Sequence, residues 1–200
     1  MPQRTVEAAD ENSTLRALGE LLKERNAVDT RIASLLGRPA ERGHIGEFIA
    51  SRVFDVELEE SASARGRDGH FRSGTLAGSS VNVKLYGRQE GLLDVSPRDA
   101  VDFYLVLTGP RSTAISTQRM ARTLVIDAVY LFSSGVLHDE LAKRGVRVGI
   151  ASSVRQEAWR AAEIYPKPTN PMLPVTDGQG TLLALFSSSN LASRDGLADE

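Results

Sequence analysis

Three short stretches decide how this chain is read: Gly46-Glu47, then Gly66-Arg67-Asp68-Gly69, then Val81-Asn82-Val83-Lys84. Around the first, Ile45, Phe48, Ile49, Ala50 and Val53 recur at helical spacing over residues 40–54. Glu47 falls between them, which places it on a helix at the edge of a core. Around the other two the period changes to two. Val56-Glu57-Leu58-Glu59 alternates, Gly69-His70-Phe71 is short and flanked by glycine, and Val81, Val83 and Leu85 alternate with Asn82, Lys84 and Tyr86. Three antiparallel strands are expected, with residues 74–80 turning between the last two. Lys84 and Tyr86 then share a face of the third strand.

Upstream, Leu15, Leu18, Leu21, Leu22, Val28, Ile32, Leu35 and Leu36 repeat at steps of three and four behind a Ser/Thr cap, so an amphipathic helix is expected over 13–36. Gly37-Arg38-Pro39 stops it, and the polar, acidic residues 1–12 read as a disordered start. Downstream, Phe103-Tyr104-Leu105-Val106-Leu107 reads as a buried fourth strand ending at Gly109-Pro110. A strand over 123–132, a helix over 135–144, a short strand over 146–150 and a helix over 153–164 with Trp159 in its core face follow. Tyr165-Pro166-Lys167-Pro168 breaks that helix, order returns at residues 182–186, and 187–200 form a polar tail. One domain over 13–186 is the expectation.

Composition narrows the function classes. The 200 residues are 41% hydrophobic, enough for one packed domain. No apolar run approaches the length of a membrane span and no secretory leader is present, so a cytoplasmic protein is expected. With no cysteine, disulfides and thiolate zinc sites are excluded, and His44, His70 and His138 lack ligand spacing. Any metal would need oxygen ligands. Net charge is −2, but residues 1–60 hold 8 basic and 12 acidic side chains, 61–125 hold 9 and 5, and 126–200 hold 7 and 9. The basic excess surrounds the quoted stretches through Arg65, Arg67, Arg72, Lys84, Arg88 and Arg98, and continues in Arg111, Arg119 and Arg122. A phosphate backbone would dock there. A surface with 25% charged residues also shows such local imbalance by chance.

A helix glutamate, an Asp-Gly at a hairpin and a Val-Asn-Val-Lys strand together resemble the PD-(D/E)XK nuclease superfamily, which includes the restriction endonucleases. The likeness covers residues 40–108 and rests on Glu47, Asp68 and Lys84; fourteen residues from Asp68 to Asn82 suit a hairpin between adjacent strands. The fold class it implies is α/β: a restriction endonuclease-like core of helix, three-stranded antiparallel meander and further buried strand. An N-terminal helix and a C-terminal α/β extension would flank it.

The resemblance implies a Mg²⁺-dependent (or Mn²⁺-dependent) endonuclease that hydrolyses DNA, restriction-like. Phosphodiester hydrolysis calls for neutralised phosphoryl oxygens and a hydroxide-like nucleophile, both of which Mg²⁺ supplies. Mg²⁺ takes hard oxygen ligands and keeps several waters, so one or two carboxylates suffice. Asp68 is the implied central ligand, Glu47 a second, and Lys84 the group that orients the attacking water. Asn82 stands where the family has an acid or glutamine. Its carbonyl oxygen can ligate but brings no charge, so either Glu47 supplies the missing charge or the chain is an inactive member that binds nucleic acid or protein without cutting. A junction resolvase would share the same site. Each residue also has an ordinary reading: Glu47 as a helix-surface acid, Asp68 as a turn former, Lys84 as a solvated strand lysine. His44 and His70 neighbour the site in sequence without being counted as catalytic, and Tyr86 reads as packing. Cutting both strands of a duplex favours a homodimer, with the 13–36 helix as its seam.

Overall fold

The fold is that of a computed structural model describing residues 3–59, 66–98, 100–112 and 123–190, with side chains from residue 12 onward. The backbone groups into two compact units, Met1–Ile45 and Gly46–Glu200. The first is mainly one continuous helix, α1 (Gln3–Leu36). It begins ten residues ahead of the expected start, because Glu7, Ala8, Ala9 and Glu11 are good helix formers even without an apolar period. Ser13 and Thr14 are therefore interior to the helix and not at its cap. Gly37, with φ +68°, ends the helix, its N–H donating to the Ala33 carbonyl at 2.9 Å. Leu15, Leu18, Leu21, Leu22, Val28 and Leu35 are exposed.

Helix α2 (Arg42–Val53) crosses the boundary between the units and leads into a mixed α/β arrangement. An open six-stranded sheet has the order β1-β2-β3-β5-β6-β8. Its strands are β1 (Val56–Leu58), β2 (Gly69–Phe71), β3 (Ser80–Tyr86), β5 (Phe103–Thr108), β6 (Ala128–Ser133) and β8 (Glu163–Tyr165), with a separate ribbon of β4 (Leu92–Leu93) and β7 (Ser152–Ser153). The expected meander β1-β2-β3 is antiparallel throughout, whereas β5 runs parallel to β3, Val81 facing Phe103 and Tyr86 facing Thr108.

A parallel neighbour requires a crossover. Among the described residues of 87–102 it is made without a helix, and two tyrosine hydroxyls hold it down. Tyr86 Oη accepts from the Asp94 N–H and Tyr104 Oη from the Ser96 N–H, both at 3.0 Å. At the start of the pair, Asp102 Oδ2 accepts from Ser80 N–H at 2.8 Å and from its hydroxyl at 2.6 Å. These bonds hold the Asp102 carboxyl below the usual carboxylate range.

Alternation assigns each face. Val81, Val83, Leu85, Phe103, Leu105 and Leu107 lie on one side, and burying each of these leucines contributes roughly 2 kcal/mol. Asn82, Lys84, Tyr86, Tyr104 and Val106 lie on the other. There Tyr104, Val106, Tyr130 and Phe132 pack with Leu137 and Leu141 of α3 (Ser134–Lys143) and Trp159 of α4 (Gln156–Ala162). The Trp159 ring stands edge-on to Tyr130 and Phe132 at 4.8 and 4.9 Å, as a core residue.

Three expected elements are corrected. No strand forms over 146–150: the Ser152 hydroxyl accepts from Gly149 N–H at 3.0 Å, bending the chain, and β7 follows the bend. The helix expected over 153–164 stops at Ala162, and Ile164 enters the sheet as part of β8, 1% exposed. The strand expected over 123–132 begins only at Ala128. The apolar run at 182–186 belongs largely to α5 (Asp177–Ala184), whose N-terminus carries a capping box between Thr176 and Gln179. Gln179 Nε2 also donates to the Val53 carbonyl at 2.7 Å, satisfying the end of α2.

Candidate functional site

The site is built on β3. Strand β2 pairs with β3 only at Val81 and Ser80, so beyond Val81 this edge of β3 has no strand partner among the described residues. Asp68 closes the gap. Its N–H donates to the Val81 carbonyl at 3.0 Å, and its Oδ2 accepts from the Val83 N–H at 2.7 Å. The carboxylate therefore sits where two strands part, with Oδ1 free of hydrogen bonds among the described residues. Burial pushes the Asp68 carboxyl above the ordinary carboxylate value, against the opposing pull of the Val83 N–H and of the Lys84 charge.

Asn82 is 3% exposed. Its Nδ2 donates to the Gly66 carbonyl at 2.9 Å, while its Oδ1 is buried with no hydrogen-bond partner among the described residues. Gly66 makes this possible. It has φ +81°, and a Cβ there would lie 2.9 Å from the Ser96 hydroxyl, so only glycine brings its carbonyl under the crossover to Asn82. Sequence pattern does not reveal this partner, because glycine beside Arg-Asp-Gly reads simply as turn. Lys84 is half-buried two residues along the same face.

Glu47 comes from α2. Its neighbour Gly46 lies so close to β3 that an added Cβ would be 2.9 Å from Leu85 Cβ, which fixes the helix beside the stretch carrying Lys84. Asn82 and Lys84 thus lie two residues apart on one face of β3, and Asp68, just ahead of β2, is tied to the same strand at Val81 and Val83. The helix carrying Glu47 packs against Leu85, on the opposite face of that strand.

The donor set suits a hard cation: a carboxylate oxygen without a hydrogen bond and a buried amide carbonyl oxygen that lacks a donor. Among the described residues no group of three His, Cys, Asp or Glu side chains is placed to hold a metal, so such an ion would rely on the amide.

Other expected participants stand elsewhere. His44 Nδ1 contacts the Pro39 carbonyl at 3.0 Å within the first unit, and His70 Nε2 lies 3.3 Å from Glu57. Tyr86 is occupied by the crossover, and its burial pushes the phenol pKa up. The basic surround is partly spent: Arg67 pairs with Glu59, Arg72 with Asp55 and Arg98 with Asp139. Lys84, Arg88 and Arg111 make no ion pair among the described residues, and Arg65, Arg119 and Arg122 lie outside those residues. Among the described residues no helix is long and apolar enough to cross a membrane. No family model matches the chain, and no curated protein matches it in sequence.

Proposed function

We propose that this protein is a metal-dependent endonuclease that hydrolyses phosphodiester bonds in DNA on a restriction endonuclease-like core. The observation that carries the reading is the Asp68 carboxylate at the parting of β2 and β3, bonded to Val83 between Asn82, whose carbonyl oxygen has no partner among the described residues, and Lys84. The element order adds support: a helix with Glu47, an antiparallel meander, then a buried strand beside the third. Asp68 and Asn82 would hold Mg²⁺ or Mn²⁺. The ion supplies charge neutralisation and an acidified water at neutral pH. Lys84 orients water and offsets the negative charge that grows on the phosphoryl oxygens.

Plasmid nicking with Mg²⁺ or Mn²⁺ tests this. Wild type is expected to nick, and Asp68→Ala and Lys84→Ala to lose at least ~10²-fold in rate. A wild type that shifts DNA mobility yet leaves it uncut under both metals supports a second reading, a non-cutting nucleic-acid-binding module. That reading is favoured by the uncharged Asn82. The exposed leucines of α1 suit self-association, so a homodimer belongs to the same proposal.

Asn82→Asp separates the two further. Without divalent metal it should cost ~1–3 kcal/mol, because the donor to Gly66 is lost and a second buried carboxylate stands near Asp68. Adding Mg²⁺ should then raise its melting temperature more than that of wild type. Equal Mg²⁺ responses in thermal melts would place the cation elsewhere.

A further inference from the structure

We propose a phosphate-binding pocket at the far end of the parallel pair β3 and β5, formed by Gln89, Arg111 and Ser112 and extended by Arg160 and Lys167. Just past the carboxyl ends of the two strands, Gln89 and Arg111 run side by side as an isolated parallel bridge. Backbone bonds lock them: Gln89 N–H donates to the Pro110 carbonyl at 3.2 Å, and Ser112 N–H to the Gln89 carbonyl at 3.1 Å. Crevices outside the carboxyl ends of parallel strands are where open α/β sheets take ligands.

Two hollows of about 370 and 390 Å³ open there and share Arg111 and Gln156 in their walls. Gln89 lines the first and is only 2% exposed, yet among the described residues its Nε2 has no acceptor; Ser112 is half-buried, but its hydroxyl oxygen is buried and likewise without a partner among those residues. Leaving buried donors unmet is costly, and an acceptor-rich ligand would relieve it. The second hollow adds Arg160 and Lys167. Neither these nor Arg111 makes an ion pair among the described residues.

Two carboxylates line the hollows, Glu90 in the first and Glu163 in the second, and Glu163 Oε1 already accepts from the Lys167 N–H at 3.2 Å. Three cations against two acids, with an amide and a hydroxyl donor, select an anion that accepts from several directions. A phosphoryl group does so, presented by a mononucleotide or by a nucleic-acid strand. The pocket uses no residue of the Asp68 site, so it stands or falls independently of the nuclease reading.

Calorimetric titration of the full chain with inorganic phosphate, dTMP and a short single-stranded oligonucleotide tests it. Saturable phosphate binding is expected in wild type and in Asp68→Ala. Arg111→Gln should weaken it at least 10-fold, and Gln89→Met at least 5-fold. Arg111 is exposed, so its variant decides the matter if Gln89→Met fails to fold. Binding tighter for dTMP than for the oligonucleotide identifies a nucleotide pocket, and the reverse order a strand contact. Absence of saturable binding for all three probes, or wild-type affinity in Arg111→Gln, overturns the proposal.

Discussion

Asp68→Asn is expected to abolish metal-dependent nicking while leaving the protein at least as stable as wild type at neutral pH. The carboxylate is the charged oxygen donor of the proposed site, so its loss should cost at least ~10²-fold in rate. Stability should go the other way. Burial raises the Asp68 pKa in the folded state, so between the ordinary carboxylate pKa of about 4 and the raised value the native chain holds more protons than the unfolded one. Native stability therefore falls as pH rises through that window, and the full penalty is present above it. Asparagine carries no such penalty, and its carbonyl oxygen still accepts from Val83 N–H. The gap between variant and wild type in melting temperature should open from pH 4 upward and close below it. A variant less stable than wild type at pH 7, with no dependence of that difference on pH, would show that Asp68 is a structural turn residue held by its charge.

Gly69→Ala should lose both stability and activity. A Cβ on Gly69 would sit 2.2 Å from the Glu57 carbonyl oxygen and 3.0 Å from Val56 Cγ1. The first obstacle is backbone, so no rotamer change relieves it, and the β1-β2 pair must separate. The expected cost is about 3 kcal/mol or more. For a chain of this size that lowers the melting temperature by roughly 6–12 °C. Because Asp68 is the preceding residue, its grip on Val83 should loosen at the same time, and nicking should fall even at temperatures where the variant is folded. Full activity in a folded Gly69→Ala would mean that the placement of Asp68 does not depend on this pairing.

The contrast between these variants reflects what local sequence encodes. Period-two alternation around Val81–Leu85 and the glycines near residues 66–69 made the meander legible, because strand pairing there is short-range. The positions of Asp68 at the head of β2 and of Asn82 and Lys84 on β3 were legible by the same token. The fate of 153–164 was not: Trp159 and Ala162 satisfy helical spacing, and only the distant edge of β6 draws Glu163–Tyr165 into the sheet. Likewise, Val146 and Val148 alternate like a strand, but the Ser152 hydroxyl captures the local backbone first. The Gly66 carbonyl beneath Asn82 and the empty reach of Gln89 depend on chain segments meeting in space, which composition does not encode. Arg111 was visible only as a cation in a stretch without acids.

The crossover between the parallel strands has its own arithmetic. Tyr86 is tied to Asp94 eight residues ahead, and Tyr104 to Ser96 eight residues behind. The connection is thus two lariats of equal circumference, knotted either side of Val95, itself 5% exposed. Such a loop cannot drift in length as surface loops ordinarily do. One inserted residue in either half would unbalance the pair and release a hydroxyl from its knot. In a chain sharing this architecture, the segment from 87 to 102 should behave as a fixed-gauge part, with variation in side chains but not in count.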